Sequence, residues 1–182
     1  MPARRLMLKT ALGLGAAMAL PLPVVARGLM GRGGGRQVSL LNLHTGERLN
    51  AEYWQNGRYV PDALSAVAVV LRDHRNNKIH PIDPQLLDLI HRLHAAVGSR
   101  APFNVISGYR SPETNALMHE VSAGVAAHSL HMEGRAIDIR LPGTGLSHVR
   151  QAALAMRAGG VGYYPQDDFV HVDTGAVRCW GG

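Results

Sequence analysis

His131 and Asp138 stand seven residues apart, and His171 follows in a short segment near the C-terminal end of the chain. Two imidazoles and one carboxylate are a donor set that catalytic zinc takes, with three protein ligands and a fourth position left open. That set leaves the ion with net positive charge, which suits it to acidify water and to polarise a carbonyl. Ten histidines are scattered through the 182 residues, so residue types alone select nothing. The segments that carry these three must do so.

Strand parity is the first test. In the alternating segment 135–141, Ile137, Ile139 and Leu141 share one face, which puts Ala136, Asp138 and Arg140 on the other. In 169–173, Val170 and Val172 share a face, and His171 lies with Asp173 opposite them. Each predicted strand therefore offers one candidate ligand from its polar side. His131 sits in the loop that precedes the first of them.

The elements that must hold these strands can be read along the chain. Strand formers at 38–43 and 48–54 flank His44-Thr45-Gly46 and predict an N-terminal hairpin, with a further turn at Asn56-Gly57. A helix is predicted over 61–72, with Pro61 in its first turn. A second begins at Asp83-Pro84, repeats Leu86, Ile90, Leu93 and Val97 at helical spacing, and stops at Gly98. His91 and His94 on it lack an acidic companion and read as surface or packing residues.

Residues 103–107 form a predicted strand, Ser111-Pro112-Glu113-Thr114 opens another helix, and 121–128 reads as a loop. After strand 135–141, a helix over 147–156 ends at Gly159-Gly160, and short strands follow at 161–164, 169–173 and 177–180. The fold class expected is α+β: a small antiparallel sheet with flanking helices, carrying the zinc site on one sheet face.

Residues 1–26 combine Arg4, Arg5 and Lys9 with the apolar run 11–20 and the small-residue site Val24-Val25-Ala26. This is the pattern of a secretory signal peptide, too short in its apolar part to span a bilayer. Arg4-Arg5-Leu6-Met7-Leu8-Lys9 resembles the twin-arginine export signal, which carries proteins already folded. The expectation is an exported protein of the periplasm or cell envelope. No cysteine follows the cleavage site, so a lipoprotein anchor is not expected.

The glycine-rich stretch within 27–36 reads as a flexible linker, leaving 37–182 as the folded domain. Of the 19 Lys and Arg, three leave with the signal, so 16 face 13 Asp and Glu, a net of +3 rather than +6. A balance that mild argues against nucleic acid as a partner. Cys179 stands alone, which excludes an internal disulfide and a multi-thiolate metal site.

The pattern around the three candidate ligands resembles a known family. Ser107-Gly108-Tyr109-Arg110-Ser111, then Ser129-x-His131-x-x-Gly134-x-Ala136-x-Asp138, then a late His171 are similar to the D-alanyl-D-alanine metallopeptidases. Those are grouped with lysostaphin-type peptidases and the hedgehog signalling domain. More narrowly, 107–115, Gly124-Val125-Ala126, 136–143, 159–165 and 169–175 resemble the bacterial murein endopeptidase K group.

The resemblance implies a Zn2+ ion on His131, Asp138 and His171, small residues kept at Gly134 and Ala136, and Ser129 orienting a ligand. It gives Arg110 the role of stabilising an oxyanion or holding a substrate carboxylate. The family's general base stands three residues before the last histidine, which here is Asp168.

Asp168 has the wrong parity to face His171 unless the chain bends at 165–167; Asp173 has the right parity but could instead orient His171. His119 and His128 read as helix-face and loop residues. The activity implied is zinc-dependent hydrolysis of amide bonds in peptidoglycan stem peptides or cross-links. The rivals are a D,D- or L,D-carboxypeptidase and a zinc-containing module that binds cell-wall peptides without cutting them.

Overall fold

Alternation along the N-terminal strands sets the first layer. In the computed structural model, which describes residues 34–121 and 125–181, β1 (Arg36–Asn42) pairs antiparallel with β2 (Arg48–Gln55), Val38 opposite Ala51 and Leu40 opposite Leu49. Asn56 and Gly57, at φ 50° and 80°, turn β2 into β3 (Arg58–Tyr59). Two successive left-handed residues are what a tight hairpin turn requires, and Asn-Gly supplies them at least cost. The segments read as signal peptide and, through residue 33, linker lie outside the described residues.

Helix α1 (Pro61–Val70) starts at its proline, and α2 (Pro84–Val97) is capped by the Asp83 carboxylate, which accepts from the Gln85 N–H at 2.9 Å. Gly98 closes α2 in the left-handed conformation, φ 65°. Of the predicted apolar stripe, Leu86, Ile90 and Leu93 are each 1 % exposed or less and Val97 is partly buried against the core, while Leu87 is buried beside them. His91 and His94 bond the carbonyls of Gln37 and Ala101 at 2.9 and 2.8 Å, so both serve packing. Asp88 gathers Arg36, Tyr53 and Tyr59, tying α2 to the hairpin.

Beyond these come β4 (Phe103–Ser107), α3 (Pro112–Val121), a 3-10 turn (Leu130–Glu133), β5 (Ala136–Arg140) and α4 (Leu146–Met156). Three strands finish the chain: β6 (Gly160–Tyr164), β7 (Phe169–Asp173) and β8 (Arg178–Gly181). The sheet runs β3-β2-β1-β4-β5-β7-β6-β8. The α+β class holds, but the sheet has eight strands, and two of its pairings, β1 with β4 and β6 with β8, are parallel.

Both parallel pairings have a physical basis. Between β1 and β4 the chain passes through a hairpin and two helices, ample length for a parallel return. Between β7 and β8 only residues 174–177 intervene, and the chain crosses close over Gly159 and Gly160. A Cβ on Gly159 would lie 1.8 Å from the Asp173 carbonyl oxygen, and one on Gly160 would lie 2.5 Å from the Asp173 side chain. Only glycine admits that crossing.

Strand β5 is central, with Ile137 and Ile139 fully buried in the main core beside Val105, Val170 and Val172. Its polar face, with that of β7, is where the candidate ligands stand. Among the described residues no helix is long and apolar enough to cross a membrane.

Candidate metal centre

The register of β5 against β7 pairs Asp138 directly with His171, so strand geometry alone places a carboxylate beside an imidazole. His131 arrives from the 3-10 turn, whose first N–H groups the Ser129 side chain caps at 3.4 Å to the His131 amide. Ser129 therefore shapes the turn that carries His131 and does not hydrogen-bond a ligand ring. The turn ends at Gly134, φ 65°, where a Cβ would come within 2.2 Å of the Pro81 carbonyl oxygen. Any larger residue would push the turn off that wall.

The three side chains converge. His131 Nε2 lies 3.2 Å from His171 Nδ1 and 3.3 Å from Asp138 Oδ1, and His171 Nδ1 lies 2.8 Å from the same oxygen. A tetrahedral zinc ion with ligand bonds of about 2.0–2.1 Å has donor-to-donor edges of about 3.3 Å. The three observed edges describe one face of such a tetrahedron, and all three residues are at least nine-tenths buried.

The far nitrogens are already committed. His131 Nδ1 donates to the Gly108 carbonyl at 2.7 Å, and His171 Nε2 donates to Asp173 at 3.1 Å. Both imidazoles are thereby turned with their other nitrogen toward the shared point, the arrangement metal-bound histidines require.

Electrostatics agree. Burial would raise the Asp138 carboxyl, but the His131 and His171 rings outweigh it and hold the group well below the usual carboxylate range. Burial alone would lower the His171 imidazole, yet Asp138 and Asp173 together raise it to about 9. A cation held at this point would replace the imidazolium proton as the charge facing the two carboxylates.

Of the two acids predicted as the general base, Asp168 pairs with Arg140, and Asp173 with His171 and Arg178. Asp168 adopts a left-handed φ of 55° and pairs with Arg140 at 2.6 Å, lining a separate depression with Asn104 and Thr144. The bend expected at 165–167 is present as a turn, but it aims the carboxylate along β5, away from His171. Asp173 has no exposed surface, and its oxygens accept from His171, from the Gly160 and Gly175 amides and from Arg178. Those donors hold its carboxyl far below the ordinary range, an environment suited to positioning His171.

Replacing Asp173 with Asn should weaken zinc affinity about 10- to 100-fold, since it removes the charge that fixes the His171 ring. Competition against a chromophoric chelator measures this.

Arg110 is 7 % exposed, with its Nη2 3.8 Å from Asp138 Oδ2 and its Nη1 3.4 Å from the Asn115 side-chain oxygen. Its Nε–H is buried without a partner among the described residues. The main chain locks it in place: the Arg110 amide donates to the His131 carbonyl at 3.1 Å, and that of Tyr109 to Leu71 at 2.7 Å.

A cavity of about 560 Å³ opens over these residues. Its wall adds features the sequence reading passed over, chiefly Arg75, Tyr164, Asp167 and Trp180. His128, expected to be a plain loop residue, also lines it. His119 does not, and bonds the Val125 carbonyl instead. Trp180 packs 5.2 Å from the His171 ring and donates to the Tyr164 hydroxyl, a pairing possible only because Gly162 leaves room for the indole.

Comparison with known proteins gives consistent results. A family model described as peptidoglycan L,D-endopeptidase MepK matches residues 32–180. A peptidoglycan L,D-endopeptidase MepK of Escherichia coli K12 is 46 % identical over 177 residues, covering 97 % of this chain and 96 % of that protein. A probable peptidoglycan L,D-endopeptidase MepK of Haemophilus influenzae is 43 % identical over 148 residues, 81 % of this chain and 80 % of that one.

Proposed function

Because the chain belongs to the peptidoglycan L,D-endopeptidase MepK family, we propose that it is an exported zinc peptidase that hydrolyses an L,D amide bond in peptidoglycan peptides. The observation that carries this is the tetrahedral face formed by His131 Nε2, Asp138 Oδ1 and His171 Nδ1 at the floor of an open cavity. When bound there, zinc would supply Lewis acidity toward a water molecule and a carbonyl oxygen.

The residues of the chain perform the rest. Asp173 and the Gly108 carbonyl hold the two imidazoles in the orientation that presents their free nitrogens. Arg110 lines the cavity with a charged guanidinium whose Nε–H has no partner among the described residues, and it stabilises negative charge on the carbonyl oxygen as water adds to the carbon. The C–N bond then breaks, and the amine leaves with a proton. For proton transfer the wall offers Asp167 and His128, since His44 is bonded to the Ile106 carbonyl.

Export through the segment 1–26 would bring the enzyme to the periplasm or envelope, where peptidoglycan lies. The test is digestion of purified sacculi by the zinc-loaded protein, with chromatography of the released muropeptides. Loss of L,D-linked species, prevented by a chelator and restored by zinc, is the expected result. A cross-link pattern unchanged by the zinc-loaded protein would leave a binding module, and release of single terminal residues would mark a carboxypeptidase.

A further inference from the structure

Three arginines line the same cavity, and Arg75 has no part in the chemistry described above. Arg75 lies in the loop between α1 and α2, lines the cavity wall, and its guanidinium meets no carboxylate among the described residues. The other cations there are differently placed: Arg178 is paired with Asp173, and Arg110 stands against Asp138.

The loop that carries Arg75 is built. Asp73, 1 % exposed, accepts from the Arg75 amide through one oxygen at 3.1 Å and from the Ser111 amide through the other at 2.9 Å. A single buried carboxylate thus fixes Arg75 relative to Arg110. The Asn76 side chain donates to the Ser111 hydroxyl at 2.7 Å, and Asn77, at φ 60°, closes the turn by donating its amide N–H to the Asp73 carbonyl.

Holding two guanidinium groups toward one space without an anion between them is unfavourable. The buried Arg110 Nε–H also lacks a partner among the described residues. Both defects are relieved if the ligand brings negative charge.

Building on the proposed L,D-endopeptidase reading, we infer that Arg75 is a specificity-determining residue that holds a free substrate carboxylate next to the scissile amide. The nitrogen of an L,D bond comes from a D-centre whose carbon also bears a carboxyl group. Where a cross-link closes through a side-chain amine, that carboxyl is free even though the bond is internal. Arg75 reads this anion by charge-assisted hydrogen bonds, while Arg110 serves the carbonyl oxygen.

The experiment uses two synthetic L,D-linked peptides that differ only in this group, one with the free carboxylate and one with the carboxamide. With the zinc-loaded wild-type protein, kcat/KM for the free acid is expected to exceed that for the carboxamide by about tenfold or more. In Arg75→Gln the preference should fall to within about twofold of unity, chiefly through KM, and Arg75→Lys should restore part of it. A preference that survives in Arg75→Gln overturns the assignment, because a merely structural role for Arg75 would lower both substrates together.

If the wild-type protein cleaves neither peptide, the endopeptidase reading fails and the carboxylate site is judged separately. Calorimetric binding of the same two peptides to the same three proteins then decides it. Binding that favours the free acid in wild type and loses that bias in Arg75→Gln upholds the site; equal binding in wild type overturns it.

Discussion

Replacing Asp138 with Ala is expected to eliminate stoichiometric zinc binding and to lower cleavage of sacculi by about 10³-fold or more. Lewis-acid stabilisation of the reacting carbonyl is worth several kcal/mol, and about 4 kcal/mol is a factor of ~10³. Asp138 is the hub of the cluster, since the same Oδ1 lies 3.3 Å from His131 and 2.8 Å from His171. Its removal leaves the His171 imidazole with Asp173 alone, and leaves Arg110 without its nearest anion.

The strand should survive the change. Ile137 and Ile139 are fully buried on the opposite face of β5, and the backbone ladder to β4 and β7 does not use the carboxylate. Because a buried charge set is being broken, Asp138→Asn is the companion variant, retaining shape and one acceptor. Far-ultraviolet circular dichroism close to wild type with zinc absent by elemental analysis is the expected pair of results. Zinc bound at wild-type affinity in Asp138→Ala would refute the metal centre.

Parity made Asp138 and His171 legible because it depends only on the alternation of Ile137, Ile139, Val170 and Val172 around them. Helix α2 was equally plain, as its start at Asp83-Pro84 and its stop at Gly98 carry local signals that act within a turn, whereas α4 ends at Arg157, before the Gly159-Gly160 expected to stop it. The sheet was harder. That β1 lies parallel beside β4 follows from the packing of α1 and α2 across 60 residues, which no local pattern encodes.

The site outside the two strands depended on similar long-range terms. Asp168 sits three residues before His171, yet the left-handed turn at its own φ and the pull of Arg140 send it elsewhere. Asp173 shares the face of His171 as parity requires, but its environment of amides and Arg178 converts it from a possible proton acceptor to a fixed acceptor of hydrogen bonds. Arg75 and Asp73 passed unnoticed in a polar loop. Their one signal was an acid two residues before an arginine, and only the fold brings Ser111 to the same carboxylate.

Arg110→Gln is expected to lower kcat about 10²- to 10³-fold with little change in KM, the effect of removing a preorganised donor to a developing oxyanion. The argument rests on placement. Arg110 is enclosed, its backbone is tied to the carbonyl of His131, and its Nε–H has no partner among the described residues. A donor left unpaired in the resting site and satisfied as charge builds contributes to the barrier more than to binding.

Arg110→Lys keeps the charge but replaces a planar fork by a single point donor, so it should recover only part of the loss. Zinc affinity is expected to rise in Arg110→Gln, because a cation 3.8 Å from the Asp138 carboxylate is removed, and to hold in Arg110→Lys, which keeps the charge. The kcat-against-KM split separates the two roles that an arginine can play here. A rise in KM with kcat intact would assign Arg110 to substrate anchoring, and would make it, rather than Arg75, the residue that meets the anionic group.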